Sequence, residues 1–150
     1  MFQTNTLFRM YPMDNLTPAE RSEIMSRVKS KNTRPEILVR SFLHRNGLRF
    51  GRNSAALPGK PDIVLPKYKA VVFVNGCFWH RHQDPTCKLA RMPKSNIDFW
   101  KEKLAKNVER DLVHKEALEV LNWRVFYVWE CQLNHPEPIL TDLIRRIKSP

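Results

Sequence analysis

The chain has 150 residues with 26 Lys+Arg against 15 Asp+Glu, a net charge of +11, and three cysteines. That length supports one compact domain but not two, and three cysteines cannot pair completely into disulfides. No run of 18 or more apolar residues is available to span a bilayer, and the N-terminus lacks the unbroken apolar stretch of a secretory leader, so a cytoplasmic protein without membrane contact is expected.

The positive excess points to a polyanionic partner, because neutralised phosphates release condensed counterions. Nucleic acid is the leading reading, and a solvated basic surface kept for solubility is the other.

Residues 1–16 carry Phe8, Met10 and Tyr11 without a clear period and read as a loose arm ahead of a single domain over 17–150. Thr17-Pro18-Ala19-Glu20 has the cap hydroxyl, first-turn proline and third-position glutamate that open a helix, with Ile24, Met25 and Val28 along one side. Thr33-Arg34-Pro35-Glu36 repeats the pattern, and Ile37, Leu38, Phe42 and Leu43 form the apolar stripe of a second helix ending near Gly47. Asp62-Ile63-Val64-Leu65 and Ala70-Val71-Val72-Phe73-Val74 are short, β-branched and separated by Pro66-Lys67-Tyr68-Lys69, which predicts a buried hairpin. Residues 75–95 show no period of 2 or 3.6. From Ser95 to about Leu121, apolar Trp100, Leu104, Val108 and Leu112 recur every four residues and predict the longest helix. Arg124–Trp129 reads as a core strand, and Leu140, Leu143, Ile144 and Ile147 mark a last helix. The order α, α, β, β, α, β, α predicts an α/β fold with a mixed sheet covered by helices.

The irregular segment needs an organiser. Cys77, His82 and Cys87 are spaced by five residues within it, and Cys131 follows the last strand. Should that strand lie beside the hairpin, Cys131 returns to the sheet end that carries Cys77, and four such ligands suit a tetrahedral structural zinc with no open position. The bland reading is three reduced, partly buried thiols. Asp62 begins an apolar strand, where burial is costly unless hydrogen bonds or a cation compensate it. Pairing of Leu65 with Ala70 sets Asp62 opposite Phe73, with its carboxylate near the Val74 carbonyl, an oxygen environment that suits a hard cation such as magnesium. Turn chemistry before a strand is the plainer reading of Pro61-Asp62.

Val74-Asn75-Gly76-Cys77-Phe78-Trp79-His80-Arg81-His82, taken with Leu57-Pro58-Gly59-Lys60-Pro61-Asp62, Lys106-Asn107-Val108-Glu109-Arg110-Asp111 and the stretch from Trp123-Arg124-Val125 to Trp129-Glu130-Cys131, closely resembles the very-short-patch-repair (Vsr) mismatch endonucleases over about residues 17–147. The resemblance implies a restriction-endonuclease-like fold of the PD-(D/E)xK type, a zinc site formed by Cys77, His82, Cys87 and Cys131, and a magnesium-dependent nick in double-stranded DNA beside the thymine of a T:G mismatch left by deamination of 5-methylcytosine. Under it, Asp62 and the Val74 carbonyl are the magnesium ligands, His80 is the catalytic histidine, and Glu36 holds a metal-bound water. As the third residue of its helix, Glu36 also has a capping role to fill. Asn75 stands where well-known members carry a second active-site histidine. An amide orients water but cannot shuttle a proton, which leaves the acid–base work to His80. Asp84-Pro85-Thr86 lengthens the loop before Cys87 relative to some members.

Phe78 and Trp79 are placed either to pack in the core or to wedge into a base step, which resists opening least at a mismatch. The resemblance adds Met25 as a partner from the opposite groove. Lys60, Arg81 and Lys106 are candidate phosphate contacts that grip without reading bases. A monomer is expected, and contact with a mismatch-repair scaffold protein is implied by the resemblance alone. Two other readings remain: a related endonuclease with another lesion or site preference, and a zinc-stabilised DNA-binding module without catalysis.

Overall fold

The computed structural model describes residues 17–28, 30–52 and 54–150, so the arm read over residues 1–16 lies outside the described residues. Its elements run α1 (Pro18–Ser26), α2 (Arg34–Arg45), β1 (Gly51–Arg52), β2 (Ile63–Leu65), β3 (Ala70–Asn75), α3 (Ile97–Val120), β4 (Arg124–Trp129) and α4 (Pro136–Lys148). The strands form one sheet in the order β1-β2-β3-β4. The first two pairings are antiparallel and β3 pairs with β4 in parallel, giving the mixed sheet expected. The pair Gly51–Arg52 was not foreseen, because two exposed residues at a sheet edge carry no readable alternation.

Side chains leave each strand on alternate faces, and the two faces meet different helices. Ile63, Leu65, Ala70, Val72, Phe126 and Val128 pack against Val39 and Leu43 of α2 and Leu140, Leu143 and Ile147 of α4. Val64 and Val71 on the other face pack against Leu118 of α3. A third cluster of Phe78, Trp100 and Leu104 forms beyond the C-terminal end of β3, with Met25 of α1 against it. No residue of α1 is fully buried. No helix of the described residues is long and apolar enough to cross a membrane.

Both expected N-caps form. Thr17 and Glu20 close a full capping box, whereas at α2 the Thr33 hydroxyl accepts from the Glu36 amide and the Glu36 carboxylate reaches one residue further back, to the Asn32 amide. Arg124, at the start of β4, satisfies the open C-terminal end of α4 by donating to the carbonyls of Ile147 (2.6 Å) and Ser149 (2.8 Å) and to Tyr68 of the hairpin turn (3.1 Å).

The long helix differs from its expected face. Trp100, Leu104 and Leu118 are buried, but Val108 and Leu112 are 37% and 53% exposed. The inward row is Trp100, Leu104, Asn107, Asp111, His114 and Leu118, spaced by alternating steps of four and three. Those steps hold one face, while uniform steps of four drift around the cylinder. Its polar middle therefore faces the rest of the molecule.

Gly59 lies against this row. It adopts φ +73°, and a Cβ there would stand 3.0 Å from His114 Cβ. Gly59→Ala is expected to destabilise the protein by about 1–3 kcal/mol through backbone strain and this clash, measured by urea unfolding; an unchanged midpoint contradicts the close approach.

Candidate active site and metal centre

Antiparallel pairing of Ile63 with Val72 carries one residue further and sets Asp62 opposite Phe73. Its carboxylate turns back into the hairpin mouth, where the Val74 amide donates to Asp62 Oδ2 at 2.7 Å. The Val74 residue expected to offer its carbonyl thus lies directly beside Asp62.

A buried ion pair backs this carboxylate. Glu36 and Arg40 are 4% and 6% exposed, and Arg40 Nη2 donates both to Glu36 Oε2 (3.3 Å) and to the Asp62 carbonyl (3.1 Å). Arg40 Nη1 donates to Asn32 Oδ1 at 2.8 Å. Glu36 is therefore at once a capping group and a neighbour of Asp62. Arg40 escaped the sequence reading, because an arginine on an amphipathic helix is read as solvated.

Burial of Asp62, opposed by the Val74 hydrogen bond and reinforced by the charge of Glu36, pushes its carboxyl up to about 6 from 3.8. Two carboxylates near one guanidinium, which bonds only the Glu36 carboxylate of the pair, form an acidic pocket that a cation would relieve.

A cleft of about 430 Å³ joins these groups to the loop after β3, with Glu36, Lys60, Asp62, Val74, Asn75 and His80 among its walls. His80 arrives there because the loop turns helically, its amide donating to the Gly76 carbonyl at 3.1 Å. Its Nδ1 meets Asp111 Oδ2 at 2.5 Å. A carboxylate on Nδ1 fixes the proton there and turns Nε2 outward as the working nitrogen. Asp111, part of a motif quoted above, is given no role by the sequence, and the structure sets it against His80. The signal lay in the row Leu104, Asn107, Asp111, His114. Asn107 supports the same turn by donating to the Trp79 carbonyl at 3.2 Å.

The second centre follows from the parallel register. Asn75 pairs with Trp129, so Cys77 and Cys131, each two residues further along, come together. The Cys131 amide donates to Cys77 Sγ at 3.4 Å, and Cys131 Sγ lies 3.4 Å from His82 Nδ1. The ligand atoms of Cys77, His82, Cys87 and Cys131 all lie within 4.8 Å of one another. A tetrahedron with metal–sulfur bonds of about 2.3 Å has edges of about 4 Å, so the cluster can hold a metal ion such as zinc. Burial pushes the Cys77 and Cys131 thiols up, a penalty on the thiolates that a bound cation reverses. Trp129 stacks on the His82 ring at 4.4 Å and 14°.

The remaining expected residues divide. Trp79 sits half-buried at the edge of the aromatic cluster, its ring 5.9 Å from Trp100. Phe78, read as a wedge or a core residue, is 7% exposed inside that cluster with Met25 packed against it, so entering a base step requires it to leave its neighbours. Arg81 donates to the Ala90 carbonyl and braces the cysteine loop. Lys106 pairs with Glu102 on the outer surface of α3, and Lys60 reaches the cleft.

The Asp62 shift has a signed consequence. An acid whose folded value is raised favours folding below its unfolded value, and that contribution is lost as pH rises from about 4 through about 6. Asp62→Asn is therefore expected to leave metal-free stability little changed at pH 4 and to raise it by about 2 kcal/mol at pH 8. Denaturant unfolding at the two values checks this, and equal effects at both contradict it.

Comparison with known proteins identifies the family. The family model for the DNA mismatch endonuclease Vsr matches residues 13–86. The chain is 46% identical over 139 residues to the Type II nicking enzyme V.NmeAIP of Neisseria meningitidis, an overlap of 91% of this chain and 97% of that protein. It is 47% identical over 121 residues to the Type II nicking enzyme V.XorIIP of Xanthomonas oryzae pv. oryzae, covering 81% and 87%. To the DNA mismatch endonuclease Vsr of Escherichia coli it is 44% identical over 124 residues, covering 83% and 77%. With such identity sustained across most of both lengths, the chain belongs to the Vsr family and is a DNA endonuclease.

Proposed function

We propose that this endonuclease nicks one strand of a duplex beside the thymine of a T:G mismatch, in a restriction-endonuclease-like fold that combines a divalent-cation site with a structural zinc. The observation that carries this reading is the single cleft lined by Asp62, Glu36, Val74, Asn75 and His80, whose histidine is oriented from behind by Asp111.

Asp62 and the Val74 carbonyl would hold the cation, with Glu36 on a water of its shell; the buried, cation-hungry state of Asp62 supports that assignment. Magnesium, when bound, neutralises phosphate charge and lowers the energy of the reacting oxygens. Within the chain, His80 Nε2 moves the proton at the reacting oxygen, and Asp111 holds the ring so that this nitrogen faces the cleft. Asn75 is 5% exposed and orients a water or phosphate oxygen by hydrogen bonding. Lys60 offsets charge on the scissile phosphate.

Trp79, with Met25 from α1, opens the duplex at the mismatch where stacking is weakest, and Phe78 serves as its backing in the state described. Cys77, His82, Cys87 and Cys131 hold the zinc that keeps this aromatic turn rigid. Lys106 and Arg81 add phosphate grip, and Lys106 must exchange Glu102 for DNA to do so. The protein acts as a monomer on its duplex, and a mismatch-repair scaffold protein is a further expected partner.

Site-specific nicking of fully paired DNA is the second reading, favoured by relatives at 46% and 47% identity that are named Type II nicking enzymes. Matched duplexes carrying T:G or T:A at one position separate the two: strand cleavage at T:G alone supports the mismatch reading, and equal cleavage of both refutes it. On the T:G duplex, His80→Ala is expected to lower kcat by about 10²–10⁴-fold with KM nearly unchanged, and Asp62→Ala to abolish nicking while zinc content stays at one per chain. Cys131→Ser is expected to lose zinc together with several kcal/mol of stability, on the order seen when structural zinc is coupled to folding. Elemental analysis and thermal unfolding read that outcome, and full stability without metal contradicts a structural zinc.

A further inference from the structure

Beyond His80 the cleft opens into a second cavity, of about 440 Å³, whose walls Phe73, Arg110, His114 and Tyr127 have no part in the roles above. It lies between the Gly59-Lys60 turn, the β3–β4 face and the middle of α3, and shares Lys60, Asn75 and His80 with the cleft that holds Asp62. Its volume falls in the range of small-ligand pockets and exceeds what one phosphate group fills.

The lining is chemically uneven. Lys60, Arg110 and His114 bring basic groups to it, while Asp111, the acidic group among its walls, is engaged by His80. Opposite them, the rings of Phe73 and Tyr127 stack at 5.7 Å and 20° and present a flat apolar wall. Burial pushes the Tyr127 phenol up to about 12, so it stays neutral. The Asn75 side chain lies at the junction of the two cavities, 5% exposed and lining both. A side-chain amide in such a wall can donate to a polar ligand through its NH₂ group.

Building on the nuclease reading, we propose that this cavity is a subsite for the nucleotide unit adjoining the scissile phosphate on the His80 side. The neighbouring phosphodiester rests on Lys60, Arg110 and His114, its sugar lies along Phe73 and Tyr127, and the Asn75 amide donates to it. Such a subsite fixes the strand on both sides of the reacting phosphate, which is how binding energy from a non-reacting part of a substrate becomes orientation at the reacting one. It also accounts for the polar row on α3, in which His114 packs against Gly59 and brings the Lys60 turn and the helix to one wall.

A charge-deletion cycle tests the proposal. Duplexes carrying a neutral methylphosphonate at the linkage immediately 5′ or immediately 3′ of the nick are cut and bound by the parent and by Arg110→Gln and His114→Gln. For one of the two linkages, the parent is expected to lose about tenfold in kcat/KM, Arg110→Gln to lose about tenfold on unmodified DNA, and the combination to lose little more than either alone. Arg110→Gln should also reduce the slope of log affinity against log salt by about 1. Fully multiplied losses at both linkages, or unaltered cleavage and salt slope in both variants, overturn the subsite. Because Arg110 is exposed on α3, its variant is expected to fold, which circular dichroism checks. Reading the same cycle in duplex binding keeps it independent of the mismatch assignment: a parent that binds without nicking T:G refutes the function, and the coupling still decides the subsite.

Discussion

The structure turns on one carboxylate kept where carboxylates are disfavoured. Asp62 is pulled into the mouth of the β2–β3 hairpin by the Val74 amide, while Arg40 grips its carbonyl and the neighbouring Glu36 from behind. One hydrogen bond and the charge of a nearby guanidinium do not offset the burial, and the carboxyl is pushed up to about 6. That deficit is the kind of strain that functional sites retain and ordinary cores eliminate. Around it the fold supplies walls from α2, the sheet and α3, and under the proposed function the group that meets the deficit is a bound cation rather than a rearranged side chain.

Two strand registers then do most of the positioning. The antiparallel register of β2 on β3 sets Asp62 against Val74, and the parallel register of β3 on β4 brings Cys77 to Cys131. A slip of one residue in either would turn the side chains concerned to the opposite face. The centres are separated only by Asn75 and Gly76 along β3 and the turn after it, so the thiol–imidazole cluster and the cleft share a backbone. The turn that carries Trp79 and His80 lies between Cys77 and His82 of the cluster, and α3 contacts it from the far side through Asn107 and Asp111.

Much of this was legible in the sequence because it is local. Cap residues at Thr17 and Thr33, the Leu65–Ala70 hairpin pairing, and the Cys77, His82, Cys87 spacing are all set within a few residues, and they appear as expected. Strand register extends that locality to Asp62 and Cys131. What was not legible depends on which way a long helix faces. Apolar residues every four places nominated Val108 and Leu112 as inward, whereas the inward row alternates steps of four and three through Asn107, Asp111 and His114. A polar row in mid-helix looks like a solvent face until something polar is known to stand opposite it. Arg40 was hidden for the same reason, and β1 because two residues at an edge carry no pattern. The packing of Phe78 among Trp100 and Leu104 shows a further limit, since an aromatic in an irregular loop is equally compatible with a core and with a wedge.

The most direct measurement of the central claim is paramagnetic broadening of backbone amide signals by manganese in the zinc-loaded protein. A cation held at the hairpin mouth predicts saturable loss of the Ile63, Val74 and Asn75 signals at one equivalent per chain, absent in Asp62→Ala, with α4 unaffected. Broadening confined to other regions, or none at saturating manganese, contradicts a cation site built on Asp62.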